Sequence, residues 1–301
     1  MIRVRLWGTR GAIASPGYAN RRYGGNTPCV QVIGYRDSQP GAALPNGNSH
    51  LILDGGTGLA SLQTTLMQGA WGQGRGELHV LLTHYHWDHL IGLPFFAPLF
   101  VKGNRVVFYG SSVEDLQSSI EQLFTSVYSP LNGTQNVAAD LEYRQVKAQG
   151  MDVAGFQVRA VEVRHTAPAL AFRVDYGTDG VVYSTDHAAG DPEVDARLVE
   201  LARGAQLWIL DAQFTPEEHR STGGYGHTSH IEAVRLGLAA GVETLVLFHH
   251  DPAHDDEMLD RMGLEAAQLA DGSRTQVLMA RDGMLVEVGL SPAGEAAQPV
   301  Q

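Results

Sequence analysis

The sequence predicts an α/β protein, and three observations carry that expectation. Helix-like and strand-like segments alternate along the whole chain. Turns rich in Gly and Pro separate them. Candidate metal ligands fall just beyond the ends of several apolar runs, where a parallel sheet gathers its chemistry. The chain has 301 residues, 44% of them hydrophobic, enough for one large core or two fused half-domains.

Taken in order, Ile2 to Trp7 alternates like a strand and runs into Gly8-Thr9-Arg10-Gly11, then a Pro/Gly-rich loop to Arg21-Arg22-Tyr23-Gly24-Gly25-Asn26-Thr27. Cys29 to Tyr35 and His50 to Leu53 read as a hairpin joined by the polar segment Arg36 to Ser49. Asp54-Gly55-Gly56-Thr57-Gly58 turns that strand into a helix over about Leu59 to Gln68, its glycines letting the backbone approach the cleft. Leu78 to Leu82 is a short buried strand. Leu90 to Phe100 is strongly apolar but carries two prolines; it is too broken for a long helix and is expected to pack as a wall beside the site. Arg105 to Tyr109 reads as a strand and Val113 to Phe124 as a helix, while Thr125 to Asp140 is loop-like and could cover the cleft.

The second half repeats the strand logic at Leu141 to Val146, Phe156 to Val163, Ala169 to Tyr176 and Gly180 to Thr185, with Tyr176 to Gly180 as a hairpin connection. Helices are expected at about Pro192 to Arg203, Ser229 to Ala240 and His254 to Ala270. Thr275 to Met279 and Met284 to Val288 close the fold as strands. This makes residues 1–290 one domain and residues 291–301 a frayed tail. No internal sequence repeat is obvious.

Composition bounds the function. No apolar stretch approaches the roughly 20 residues that span a bilayer. Met1 to Arg10 reads as a strand and not as a secretion signal, so a cytoplasmic protein without membrane association is expected. The lone Cys29 cannot form an internal disulfide and is read as a small core residue. A formal net charge of −12 disfavours a broad nucleic-acid surface but not a small anionic substrate held by metals.

The chemistry concentrates in Leu81-Leu82-Thr83-His84-Tyr85-His86-Trp87-Asp88-His89. In an extended segment His84 and His86 point to the same side and can ligate one ion, while Asp88 and His89 lie one turn further on and can reach a second. A solvated polar turn would account for one histidine. Four potential ligands in H-x-H-x-D-H order point to two neighbouring metals.

That order resembles the signature of the metallo-β-lactamase superfamily of dinuclear metallohydrolases, and the resemblance runs from about Leu6 to about Asp256. It implies a four-layer αββα sandwich with metals at its rim. It also implies further ligands at later strand ends: His165 after Gln157 to Val163, Asp186 after Val181 to Thr185, and His249 after Thr244 to Phe248. His84, His86 and His165 are assigned to the first metal, Asp88, His89 and His249 to the second, and Asp186 bridges them. His250 competes with His249 for its place, and His187 is set behind Asp186. Asp54 is expected to orient a metal-bound histidine. His50, His79, His219 and His254 are read as structural or surface residues, and His230 as an exposed first-turn residue. The His-rich set suits two Zn²⁺ ions, with Mn²⁺ or Fe as alternatives.

Two such ions can hold a hydroxide between them as nucleophile, with Asp88 among the residues on which the chemistry depends. The Gly8-Thr9-Arg10-Gly11 turn, together with Arg22-Tyr23-Gly24-Gly25-Asn26-Thr27, resembles a bacterial branch close to the tRNase Z-like phosphodiesterases. So does Gly226-His227-Thr228-Ser229, which makes His227 the candidate general acid and Asp211, after Leu207 to Leu210, its orienting partner. Here Asp replaces the usual Glu, and Thr-Ser replaces Ser-Thr. The alternative use of His227 is to precede a helix capped by Thr228 and Ser229. Arg10, Arg21 and Arg22 read equally as anion contacts or solvated loop charges and stay outside the site. The expected function is a phosphodiesterase acting on a small or cyclic phosphodiester. The competing readings are an RNA 3′-end nuclease, a hydrolase of lactones, thioesters or β-lactams, and a non-catalytic metal-bound sensor. No long Gly-rich, basic insertion like the tRNA-gripping arm of tRNase Z enzymes is seen. Oligomeric state is not readable from the sequence; a surface for a homo-oligomeric partner would be sought at the apolar loop around Pro94-Phe95-Phe96.

Overall fold

Runs that alternate in polarity and runs that are apolar throughout give two kinds of strand in this chain. The computed structural model describes residues 1–35, 49–127, 132–147 and 149–289. In chain order the strands are β1 (Ile2–Gly8), β2 (Cys29–Gly34), β3 (Ser49–Leu53), β4 (Glu77–Leu81), β5 (Arg105–Gly110), β6 (Asp140–Gln145) and β7 (Met151–Val153). They continue as β8 (Phe156–Val163), β9 (Ala169–Tyr176), β10 (Asp179–Ser184), β11 (Leu207–Asp211), β12 (Thr244–Phe248), β13 (Gln276–Met279) and β14 (Leu285–Val288). The helices are α1 (Leu59–Leu66), α2 (Trp87–Leu90), α3 (Val113–Leu123), α4 (Pro192–Ala202), α5 (Pro216–Thr222), α6 (His230–Ala240) and α7 (Asp256–Leu269).

Two seven-stranded sheets result, ordered β14-β1-β2-β3-β4-β5-β6 and β13-β12-β11-β10-β9-β8-β7. Each has an antiparallel part, β14-β1-β2-β3 or β7-β8-β9-β10, continued by three strands that add in parallel. The parallel strands β10, β11 and β12 are the continuous apolar runs, buried along almost their whole length because both faces are covered. The shared design is thus a structural repeat without a sequence repeat: each position demands only an apolar side chain of suitable volume.

Three apolar clusters separate the layers. Between the sheets, Val4, Leu53 and Leu81 meet Phe172, Ile209 and Phe248. Outside the first sheet, Leu62, Leu116 and Ile120 of α1 and α3 pack with Leu93, Phe96 and Leu99. Outside the second, Leu198, Val234 and Ala266 of α4, α6 and α7 cover Trp208 and Leu245. The architecture is the expected four-layer αββα sandwich. The apolar stretch after α2 forms two short 3₁₀ turns, Leu93–Phe95 and Ala97–Phe100, burying Leu90, Leu93, Phe96 and Leu99 but leaving Phe95 63% exposed.

Strand β7 and helix α5 are additions to the expected elements. Three residues are too few to show a period, and α5 is polar, signalled by its capping box of Thr215 and Glu218, Pro216 at its start and Gly223 at its end, with no apolar period. The expected connection over residues 36–48, part of the expected cleft loop at residues 128–131 and the expected tail lie outside the described residues. Among the described residues no helix is long and apolar enough to cross a membrane.

One buried histidine far from the ligands makes stability depend on pH. His50 on β3 packs edge-on against Trp71, with ring centroids 5.1 Å apart, and burial lowers its pKa from 6.5 to about 4. Between those values the unfolded chain binds the proton that the folded chain refuses. Stability therefore falls as pH drops from about 6.5 to about 4, by up to about 3 kcal/mol, and levels off below. Urea unfolding of the protein and of His50→Phe across this range checks it: the variant should lose that part of the slope, and parallel curves would contradict it.

Candidate metal centre

Six strand ends converge on one rim. β3 delivers Asp54, β4 the segment His84 to His89, β8 His165, β10 Asp186, β11 Asp211 and β12 His249. Asp54, Asp186 and His249 have φ of 60°, 57° and 63°, a left-handed conformation that costs a non-glycine residue of order 1–3 kcal/mol. Neighbouring bonds hold them there. The Asp54 N–H donates to Leu81 O at 2.9 Å, and the Asp186 N–H donates to Asp211 Oδ2 at 3.0 Å. The N–H of His250, next to His249, donates to Thr9 O at 3.0 Å.

The nine residues singled out from the sequence meet at this rim. Ligand atoms of His84, His86, His165 and Asp186 lie within 4.8 Å of one another, as do those of Asp88, His89 and His249. Asp186 stands between the groups. Its Oδ1 is 3.7 Å from His84 Nε2 and 3.6 Å from His165 Nε2, and its Oδ2 is 3.2 Å from His89 Nε2 and 3.4 Å from His249 Nε2. Asp88 Oδ2 lies 3.3 Å from both His89 Nε2 and His249 Nε2. Each group combines side chains from both sheets.

The other ring nitrogens are tied down. His89 Nδ1 bonds Asp54 Oδ2 at 2.9 Å, His165 Nδ1 bonds Gly226 O at 2.8 Å, and His249 Nδ1 bonds Gln213 Oε1 at 3.0 Å. His84 Nδ1 sits 3.1 Å from the Thr83 hydroxyl. Asp54 is itself fixed by the Thr83 N–H at 2.8 Å and the Tyr183 hydroxyl at 2.8 Å. Such bonds orient imidazoles for a metal.

The donor set fits divalent ions. The Nε2 atoms of His84 and His89 are buried without a hydrogen-bond partner, an arrangement costly for a polar atom unless an ion accepts its lone pair. Burial pushes the imidazoles of His84, His86 and His165 down, toward the neutral form a metal ligand takes, whereas the Asp88, Asp186 and Asp54 carboxylates outweigh burial at His89 and push it up. Burial alone would raise the Asp88 and Asp186 carboxyls. The facing histidines hold both well below the usual carboxylate range, so both carry negative charge into the centre.

His227 spans the two groups. Its ring lies 5.1 Å from that of His165 and stacks 4.8 Å from that of His249, centroid to centroid. Its Nδ1 bonds Asp211 Oδ2 at 2.7 Å and is 3.9 Å from Asp186 Oδ1. Burial opposes the charged ring, but the Asp211, Asp186 and Asp88 carboxylates outweigh it and raise its pKa to about 9. Asp211, fully buried, also accepts from the N–H groups of Thr228 at 2.9 Å and Gln213 at 3.3 Å. The cap reading of this segment holds as well: Ser229 accepts from the Glu232 N–H at 3.3 Å and starts α6. The Thr228 hydroxyl serves elsewhere, donating to His187 O.

Of the two competing histidines, His249 faces the cluster and His250 turns away, its Nε2 donating to Ala280 O at 2.8 Å. His187 bonds Asp195 at 2.9 Å. His230 corrects the expectation of an exposed residue. It is fully buried, with Nε2 on Glu265 at 3.0 Å and Nδ1 3.3 Å from Phe214 O, because the first turn of α6 faces α7.

Residues 51–250 match the family described as the beta-lactamase superfamily domain. The chain belongs to the metallo-β-lactamase superfamily of hydrolases. It is 26% identical over 297 residues to "Ribonuclease Z" of Methanopyrus kandleri, spanning 83% of this chain and 92% of that protein. In fold it resembles the metallo-beta-lactamase fold protein YhfI of Bacillus subtilis, with a TM-score of 0.66, 19% identity and coverage of 96% of this chain and 99% of that one. Human tRNase Z, short form, is similar at a TM-score of 0.61 and 19% identity, covering 96% and 100% of the two chains.

Within this superfamily hydrolase, sequence reading missed Gln213, Tyr183 and the Gly226 carbonyl. Of these, only Gln213, two residues beyond Asp211 at a strand end, lay in a position that could have drawn attention. Asp54→Asn tests the orienting network. Loss of the carboxylate facing His89 Nδ1 should weaken metal binding by about 10–100-fold in chelator competition, with the fold kept by circular dichroism. Unchanged affinity would remove Asp54 from the centre.

Proposed function

We propose that this hydrolase is a dinuclear metal-dependent phosphodiesterase acting on a small or cyclic phosphodiester. His84, His86 and His165 would hold one ion, Asp88, His89 and His249 the other, and Asp186 would face both. The imidazole-rich donors favour Zn²⁺. Two bound ions would provide a nucleophile from water near neutral pH and neutralise charge on a phosphoryl oxygen.

The observation that carries the phosphorus reading is the 2.7 Å bond between His227 Nδ1 and Asp211, directly beside Asp186. A departing alkoxide needs a proton. His227, kept charged by Asp211, can release one from Nε2 while Nδ1 stays anchored. Asp211 then stabilises the correct tautomer of the neutral ring and its orientation.

A second reading, an RNA 3′-end nuclease, is favoured by the name of the relative from Methanopyrus kandleri, which this chain matches over 92% of that protein's length. The net charge of −12 weighs against a long polyanion.

Hydrolysis of cyclic nucleotides, whose leaving group is an alkoxide, tests the reading after metal analysis. His227→Ala should lower kcat by about 10²–10⁴-fold while retaining both metals. Asp88→Ala should lose activity together with one metal. Undiminished phosphodiester cleavage in His227→Ala would defeat the argument from the leaving group. Cleavage of a precursor tRNA but not of cyclic or linear nucleotides would select the nuclease.

A further inference from the structure

The Gly-Thr-Arg-Gly turn after β1 lies against the metal centre, and no ligand comes from it. β1 belongs to the first sheet, yet the turn pairs with the chain beyond β12 of the second. His250 N–H donates to Thr9 O at 3.0 Å, Gly11 N–H donates to His250 O at 2.9 Å, and Arg10 and His250 form a parallel bridge. Arg10 is fully buried. Its Nε donates to Gly24 O at 2.9 Å, and its Nη1 donates to Asp251 O at 2.9 Å and His254 O at 2.5 Å. It is therefore neither an anion contact nor a solvated charge, but a clamp on the loop that follows His249.

The turn reaches both terminal members of the second donor group. The Ala12 N–H donates to Asp88 Oδ2 at 2.9 Å, with Ala12 held at φ 58°. Gly11 lies so close to His249 that a Cβ there would stand 2.4 Å from both Cε1 and Nδ1 of the ring and 3.0 Å from Gln213 Oε1. Gly11 is not in the left-handed region, so the clash with the imidazole, and not backbone conformation, is what excludes a side chain.

We infer that the turn Thr9 to Ala12 is a dedicated positioning element for the second metal, with Gly11 setting the plane of the His249 ring and Ala12 orienting the Asp88 carboxylate. Gly11 acts through His249 and is a positioning residue, not a catalytic one. The inference rests on the reading of Asp88 and His249 as ligands. It explains why an amino-terminal turn of this composition accompanies a motif more than 70 residues away, Ala12 and Asp88 being separated by 76 positions.

Zn²⁺ titration against a chelator, with stoichiometry by elemental analysis, tests it on the full chain. His249→Ala should bind one Zn²⁺; two would refute the ligand assignment itself. Gly11→Ala should keep the first Zn²⁺ at unchanged affinity and bind the second about 10–100-fold more weakly. Two ions bound as in the parent, or both weakened alike, would overturn the inference while leaving the ligand assignment intact. Should Gly11→Ala not fold by circular dichroism, Gly11→Ala combined with His249→Ala decides. Removing the ring should restore a folded protein that binds one Zn²⁺ as His249→Ala does, and a double variant that still fails to fold would overturn the inference.

Discussion

A carboxylate buried to 2% exposure must be answered by positive charge or by hydrogen bonds, and Asp186 imposes that constraint on the whole rim. One oxygen faces His84 and His165, and the other faces His89 and His249. The backbone beneath it is strained, and its N–H is held by Asp211. A longer or shorter side chain could not keep both oxygens at these distances without moving one set of imidazoles. The two donor groups are therefore two halves of one centre, defined by the residue between them.

Each half draws on both sheets. His84 and His86 follow β4 of the first sheet and His165 follows β8 of the second; Asp88 and His89 belong to the first and His249 follows β12 of the second. A cation bound to either half would cross-link sheets whose contact is mainly apolar, through side chains such as Leu81 and Phe248, with a few polar ties such as the Tyr183 hydroxyl on Asp54. Metal affinity and sheet packing are then linked, since an ion that binds only the folded state stabilises it by mass action. The buried Nε2 atoms of His84 and His89, which make no hydrogen bond, are the counterpart of that linkage, a cost that a bound ion would offset.

Most of this was legible in the sequence, because strand ends are easy to see and ligand chemistry is restricted to a few residue types. The H-x-H-x-D-H run and the later His165, Asp186 and His249 each sit where an apolar run stops. The layered architecture followed from the family resemblance, and the short β7 and polar α5 escaped because neither has an apolar period. What the sequence did not disclose is geometry without composition. Asp54, Asp186 and His249 share a left-handed backbone that no residue type announces. Arg10 looked like a loop charge, and only its carbonyl partners reveal it as a buried clamp. An imidazole on the first turn of a helix is usually solvated, but His230 turns toward α7 and finds Glu265.

Asp211 ties His227 to the two donor groups. Its Oδ2 accepts from both the Asp186 N–H and His227 Nδ1, and its Oδ1 accepts from the Thr228 N–H. The carboxylate that orients the His227 ring thus also holds the strained backbone of the residue between the two donor groups. Glu, with one more methylene, would have to withdraw its backbone to place its oxygens at the same points. The Asp found here is matched to a strand that already ends against Asp186. Loss of Asp211 would disturb Asp186 as well as His227, so its effect must exceed that of losing the imidazole alone, and the two losses cannot be additive.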